Sequence, residues 1–250
     1  VTRARLLVSV LIMRKPATLI AGKFRSRNFG TTPYLADAFR LTGKEQPLAL
    51  YIGAASGDDR QFGTALVDVL ETAGARRVLW PKLTGRNKER DRALEALETA
   101  DLVFVGGGDV EAGVDALHDA DLGEPLHAAA RRGVALAGMS AGAIMLGERW
   151  VRWPNADAGD DEAETYACLG LVPCSFDTHG EGDDWSEARS FAAVRARELK
   201  KKVDVLGVPS GAALVIDADG TMRARGAPVV VYSALPNKQA ALERTLEASA

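Results

Sequence analysis

From residue 17 to residue 146, short apolar segments alternate with amphipathic ones, and most of the apolar segments run straight into glycine. Strands buried on both faces read as such uninterrupted runs, and parallel strands need crossovers of helical length between them. The strands predicted on this basis are Ala17–Ala21, Pro47–Ile52, Arg77–Trp80, Asp101–Val105 and Val134–Ala137. Helices are predicted over Pro33–Leu41, Arg60–Ala73, Lys88–Thr99, Val110–Ala120, Leu126–Arg132 and Ala141–Leu146. In Arg60–Ala73, for example, Phe62, Leu66, Val69 and Leu70 recur at helical spacing. The pattern predicts an α/β fold, a three-layer sandwich whose mostly parallel central sheet is covered on both faces.

The last third reads differently. Trp150–Gly170 is acidic and loop-like, and Leu171–Asp177 holds one or two short strands. A helix over Glu187–Lys201 is followed by short strands at Val203–Val208, Ala212–Ile216, Met222–Arg225 and Val229–Tyr232, some of them antiparallel. Lys238–Glu247 reads as a closing helix. No repeat or linker divides residues 17–250, so a single domain is expected there, with residues 1–16 as an extension. Within that extension, the run Leu6–Met13 is flanked by arginines and is too short to span a bilayer.

With 47% apolar and 26% charged residues, the chain can bury a substantial core. Its net charge of -3 carries no basic surplus to attract nucleic acid or an anionic membrane. Cys168 and Cys174 are the two cysteines, a count that fits ordinary thiols in a reducing cytoplasm. The cysteines and three histidines show no metal-ligand spacing, and no cofactor is implied.

The chemistry concentrates at Gly138-Met-Ser-Ala-Gly142, where a predicted strand turns sharply into a helix. Small residues flank Ser140 because such a turn crowds the backbone and holds the hydroxyl clear at a helix N-terminus. The N–H of Ala141 is then placed to stabilise an oxyanion. A serine that merely caps a helix is the plainer reading of the same letters. Gly106-Gly-Gly-Asp109 ends another strand, and its bare N–H groups suit the other half of an oxyanion hole. Its spacing is not that of a dinucleotide-binding loop. The base for such a serine is a histidine. His118 and His127 lie on predicted helices, which leaves His179, at the end of a short strand in Phe176-Asp-Thr-His-Gly180. No histidine follows it, whereas an α/β-hydrolase esterase carries its histidine late, after the acid.

These stretches resemble the peptidase E and cyanophycinase family of serine peptidases, relatives of class I glutamine amidotransferase-like domains. The resemblance is carried by Phe104-Val-Gly-Gly-Gly-Asp109, Gly138-Met-Ser-Ala-Gly-Ala143, Phe176-Asp-Thr-His179 and Val203-Asp-Val-Leu-Gly-Val-Pro-Ser-Gly211. It runs from about residue 17 to about residue 235. It implies a Ser140–His179 pair, an oxyanion hole from Gly107 or Gly108 with Ala141, and acyl transfer to serine followed by hydrolysis. The substrate implied is a small peptide or amide, with Asp109 among the residues that would contact it. Family members often dimerise, so a homodimer is an expectation by analogy.

The chain departs from the family pattern in two places. The family usually places a glutamate where this chain has Ser210, so the partner orienting His179 is Ser210 itself, Asp177 or Asp157. The substrate-binding arginine of the aspartyl dipeptidases aligns near Ser186, and Arg189 is the nearby candidate to replace it. Gly180 stands where the family has phenylalanine, and Gly180-Glu-Gly-Asp-Asp184 forms an acidic loop that would favour a cationic substrate group. Two other readings stay open: a weak or inactive relative that binds an amino-acid-like ligand, and an amidotransferase-like partner subunit.

Overall fold

The computed structural model describes residues 17–20, 34–155, 157–159 and 162–249. The extension expected over residues 1–16 lies outside them. Strand β1 (Ala17–Ile20) and helix α1 (Leu35–Leu41) open the described chain. There follow β2 (Leu48–Ile52), α2 (Arg60–Thr72), β3 (Arg77–Leu79), α3 (Arg90–Thr99), β4 (Leu102–Val105), α4 (Val110–Asp119), α5 (Gly123–Arg132), β5 (Ala135–Met139) and α6 (Ala141–Leu146). Strands β1, β5, β4, β2 and β3 pair in parallel, in that spatial order. Each predicted strand and helix of this region is therefore present, with ends shifted by up to three residues.

Alternation along these strands sorts their side chains to two faces. Ala49 and Tyr51 of β2, Leu102 and Phe104 of β4, and Ala135 and Met139 of β5 meet Phe39 of α1 and Leu66 and Leu70 of α2. Leu50, Ile52, Val103, Val105 and Leu136 face the other way, onto a larger core with α3, α4, α5 and α6. Tyr51 and Phe104 are fully buried. Burial of each such ring contributes roughly 2–3 kcal/mol.

The remaining elements are β6 (Arg149–Arg152), β7 (Glu164–Ala167), β8 (Phe176–Thr178), α7 (Ser186–Leu199), β9 (Val203–Val208), β10 (Ala213–Ile216), β11 (Met222–Arg225), β12 (Val229–Ala234), β13 (Ala241–Leu246) and β14 (Ala248–Ser249). Antiparallel β10 extends the central sheet beyond β1, with β11 and β14 outside it. A second sheet runs β13-β12-β9-β8, with β8 and β9 parallel.

Two expectations need correction. Part of the acidic stretch Trp150–Gly170 is not loop: β6 and β7 form an antiparallel hairpin, with Arg152 opposite and ion-paired to Glu164. Lys238–Glu247 is not a helix. Its Ala241–Leu246 segment pairs along β12 as the edge of the second sheet. Hydrogen bonding to an available neighbouring strand overrides a local composition that favours helix.

Two adjacencies set up the site. Val105 lies beside Gly138 in the β4–β5 register, so the loops leaving these strands emerge together at the carboxyl edge of the central sheet. Helix α6 packs against both β5 and β8, which draws the end of the second sheet to the same place.

Candidate active site

Ser140 sits between β5 and α6 with φ 53° and ψ −126°, a backbone conformation that residues other than glycine rarely adopt. The flanking glycines make it possible. A Cβ on Gly138 would lie 2.6 Å from the Gly142 carbonyl oxygen, and one on Gly142 would lie 2.2 Å from that of Val105. At this strained turn Ser140 lines a cleft.

His179 follows β8 and turns back through a left-handed conformation at φ 50°. Its backbone N–H donates to the Val208 carbonyl at 2.9 Å, which fixes the end of β8 against β9. The Ser140 Oγ is 2.8 Å from His179 Nε2. For the serine hydroxyl to donate here, the neutral imidazole must carry its proton on Nδ1. Among the described residues, Nδ1 has no hydrogen-bond partner.

The candidates for orienting that imidazole fall in different places. Asp177 is buried, and its carboxylate accepts the N–H groups of Thr178 and Ala188, the latter in the first turn of α7. Burial, reinforced by the neighbouring Glu187, pushes its pKa up to about 7 against the effect of those amides. Asp157 is exposed on the loop after β6, where its backbone N–H donates to Asn155 Oδ1. Ser210 follows β9 near His179. Its N–H donates to Glu181 Oε1 at 3.0 Å, and its buried hydroxyl lies beside the same carboxylate without a hydrogen bond of good geometry. Glu181 was not among the candidates read from sequence. The signal present there is its position two residues after His179, across a glycine. Burial alone would raise its pKa, but Ser210 and the charge of His179 hold it below the usual carboxylate range.

Gly107 approaches Ser140 closely: a Cβ there would lie 3.1 Å from the serine Cβ. Gly108 takes φ 144°, and a Cβ would overlap the Ala55 carbonyl oxygen at 2.0 Å. Among the described residues, the N–H groups of Gly107 and Gly108 have no backbone acceptor. The N–H of Ala141 opens α6 and has no intrahelical partner. Gly108 and Ala141 line the same cleft as Ser140.

Asp109 caps α4, accepting the Ala112 N–H at 2.8 Å, and also lines the cleft. Arg189 does not line the cleft. It is ion-paired with Asp184 at 2.6 Å. His127 bonds the Leu169 carbonyl oxygen at 2.8 Å, and His118 lies exposed in the last turn of α4. Burial pushes the thiols of Cys168 and Cys174 up to about 12, so neither supplies a thiolate near neutral pH.

The cleft has a volume of about 640 Å³. Besides Ser140 and His179 it is lined by five carboxylates, those of Asp109, Glu111, Asp177, Asp183 and Glu187. Burial raises the pKa of Glu187, which accepts the Trp150 indole N–H at 3.3 Å; neighbouring Asp183 adds to the rise. Arg152 from β6 also reaches the cleft, paired with Glu111 and Glu164. Sequence reading passed over Trp150, Arg152 and Tyr166 because the hairpin that presents them was read as loop.

The profile of peptidase family S51 matches residues 19–223. Among solved structures, a peptidase from an acI-B1 Actinobacterium superposes with a TM-score of 0.64 at 17% identity, covering 91% of this chain and 97% of that one. A putative peptidase E protein from Listeria monocytogenes EGD-e superposes at 0.55 with 15% identity, covering 87% and 97% respectively. No curated protein sequence matches the chain.

Proposed function

Because this chain belongs to peptidase family S51, we propose that it is a serine peptidase that cleaves small peptides or amides through an acyl-enzyme on Ser140. The observation that carries the reading is the 2.8 Å contact between Ser140 Oγ and His179 Nε2 at a strained strand-to-helix turn. His179 Nε2 takes the hydroxyl proton as Oγ attacks the scissile carbonyl carbon. The oxyanion is met by the N–H groups of Ala141 and of Gly107 or Gly108. As the tetrahedral intermediate collapses, the C–N bond breaks and His179 returns the proton to the leaving amine. Water, deprotonated by the same nitrogen, then attacks the ester; the acid product leaves and Ser140 regains its proton.

The cleft supports an exopeptidase with a cationic substrate group. Of the five carboxyl groups that line it, Glu111 is paired with Arg152 and Asp177 is held partly protonated near neutral pH, which leaves Asp109, Asp183 and Glu187 without a cationic partner in the cleft. An α-ammonium or a basic side chain is attracted to such a surface and an acidic side chain repelled. Arg189, engaged by Asp184, offers little support for an aspartate-binding role. Two unpaired thiols suit a cytoplasmic setting.

The test is a panel of dipeptides and aminoacyl amides with basic, neutral and acidic N-terminal residues, given to the wild type and to Ser140→Ala. The proposal expects cleavage by the wild type alone, fastest for basic residues and slowed by N-acetylation. Equal rates across charge classes would sink the cationic preference, and cleavage by the alanine variant would sink Ser140 as nucleophile.

A further inference from the structure

We propose that Glu181 is the residue that positions His179: the carboxylate of the catalytic group comes from the turn after β8 rather than from residue 210 at the end of β9. This rests on the reading of Ser140 and His179 as nucleophile and base. Strands β8 and β9 are parallel neighbours, with Thr178 beside Val208, so His179 and Ser210 leave the same end of the second sheet. Residue 210 is where the family resemblance expects an acid, and serine brings no charge there. Glu181 reaches that position, since its Oε1 accepts the Ser210 N–H at 3.0 Å.

The turn between them is built to bring this about. Residues Gly180–Asp183 form one 3₁₀ turn, and the Trp185 N–H donates to the Gly180 carbonyl at 2.8 Å. A Cβ on Gly180 would lie 2.9 Å from the Trp185 ring and 3.0 Å from Asp177 Oδ2. Glycine at 180 therefore lets the chain fold tightly over Trp185 and carry residue 181 back across β9. The other carboxylates are committed elsewhere. Asp177 serves the Thr178 amide and the start of α7, Asp157 is out on an exposed loop, and Glu187 accepts from Trp150. The charge of His179 acts on Glu181, as it also does on Glu187, so a carboxylate at 181 in turn favours the imidazolium that forms during proton transfer. The Nδ1–H bond itself forms or tightens when substrate closes the site, as catalytic hydrogen bonds often do.

The experiment compares wild type, Glu181→Gln, Glu181→Asp and the double variant Glu181→Gln/Ser210→Glu. The imidazole of His179 is titrated by NMR, and Ser140 labelling by a fluorophosphonate is timed at pH 7. Loss of the charge should lower the His179 midpoint relative to wild type. Labelling should slow by roughly 10²-fold, within the ~10⁴ that the triad acid is worth in the serine-protease template. Glu181→Asp should keep part of the rate, the double variant should regain much of it, and melting temperatures should stay together. An unmoved midpoint in Glu181→Gln overturns the inference, as does an unmoved labelling rate. If the wild type does not label at all, the acyl-enzyme reading fails separately, and the titration alone decides the role of Glu181.

Discussion

Asp177 links the stability of this protein to pH in a direction opposite to that of most carboxylates. Its folded-state pKa is raised from 3.8 to about 7, by burial first and by Glu187 second. The folded state therefore holds this proton more tightly than the unfolded chain does. The stabilisation is complete below about pH 4 and is lost as pH rises towards and through 7. A gap of about 3 pH units, at ~1.4 kcal/mol per unit, makes the difference about 4 kcal/mol. Asp177→Asn has no proton to lose, and its carbonyl oxygen can still accept the Thr178 N–H. Urea unfolding of wild type and variant at pH 4.5, 5.5, 6.5 and 7.5 isolates Asp177 together with its coupling to Glu187 and Asp183, because the titration of more distant groups cancels in the difference. Relative to wild type, the asparagine variant should gain stability steadily with pH, by about 3 kcal/mol across the series. A difference that stays constant within about 1 kcal/mol would refute the reasoning, whatever the sign of the offset.

Two further outcomes follow from the backbone around the nucleophile. Ser140→Gly removes the side chain from a positive-φ conformation and should raise unfolding free energy by roughly 1 kcal/mol while abolishing labelling; a lower melting temperature would contradict the strain. Gly108→Ala places a methyl group 2.0 Å from the Ala55 carbonyl oxygen at φ 144°, and should cost at least about 2 kcal/mol in urea unfolding, where a loss below about 0.5 kcal/mol would show that the loop yields easily.

The central sheet was legible because its strands are buried on both faces and its helices on one, so apolar runs and helical spacing alternate without ambiguity. The nucleophile turn was legible for a steric reason, since Gly138 and Gly142 each face backbone oxygens that leave no room for a side chain. The β6–β7 hairpin was not, because its pairing is held in part by polar groups: Arg152 with Glu164, and Arg149 with Thr165. Those letters carry no apolar alternation. At the C-terminus, Ala241-Leu-Glu-Arg-Thr-Leu246 has a composition that favours helix, yet a largely exposed edge beside β12 holds it as strand. Glu181 escaped notice for a third reason. In the acidic loop it looks like any solvated charge, and only the β8–β9 register shows that it reaches Ser210.

Intact mass after incubation with a fluorophosphonate, run on wild type, Ser140→Ala and His179→Ala, addresses the central claim most directly. An armed Ser140–His179 pair predicts a single covalent adduct on the wild type, none on Ser140→Ala and a strongly slowed one on His179→Ala. A wild type that takes up no adduct, or an adduct that persists when Ser140 is alanine, would contradict it.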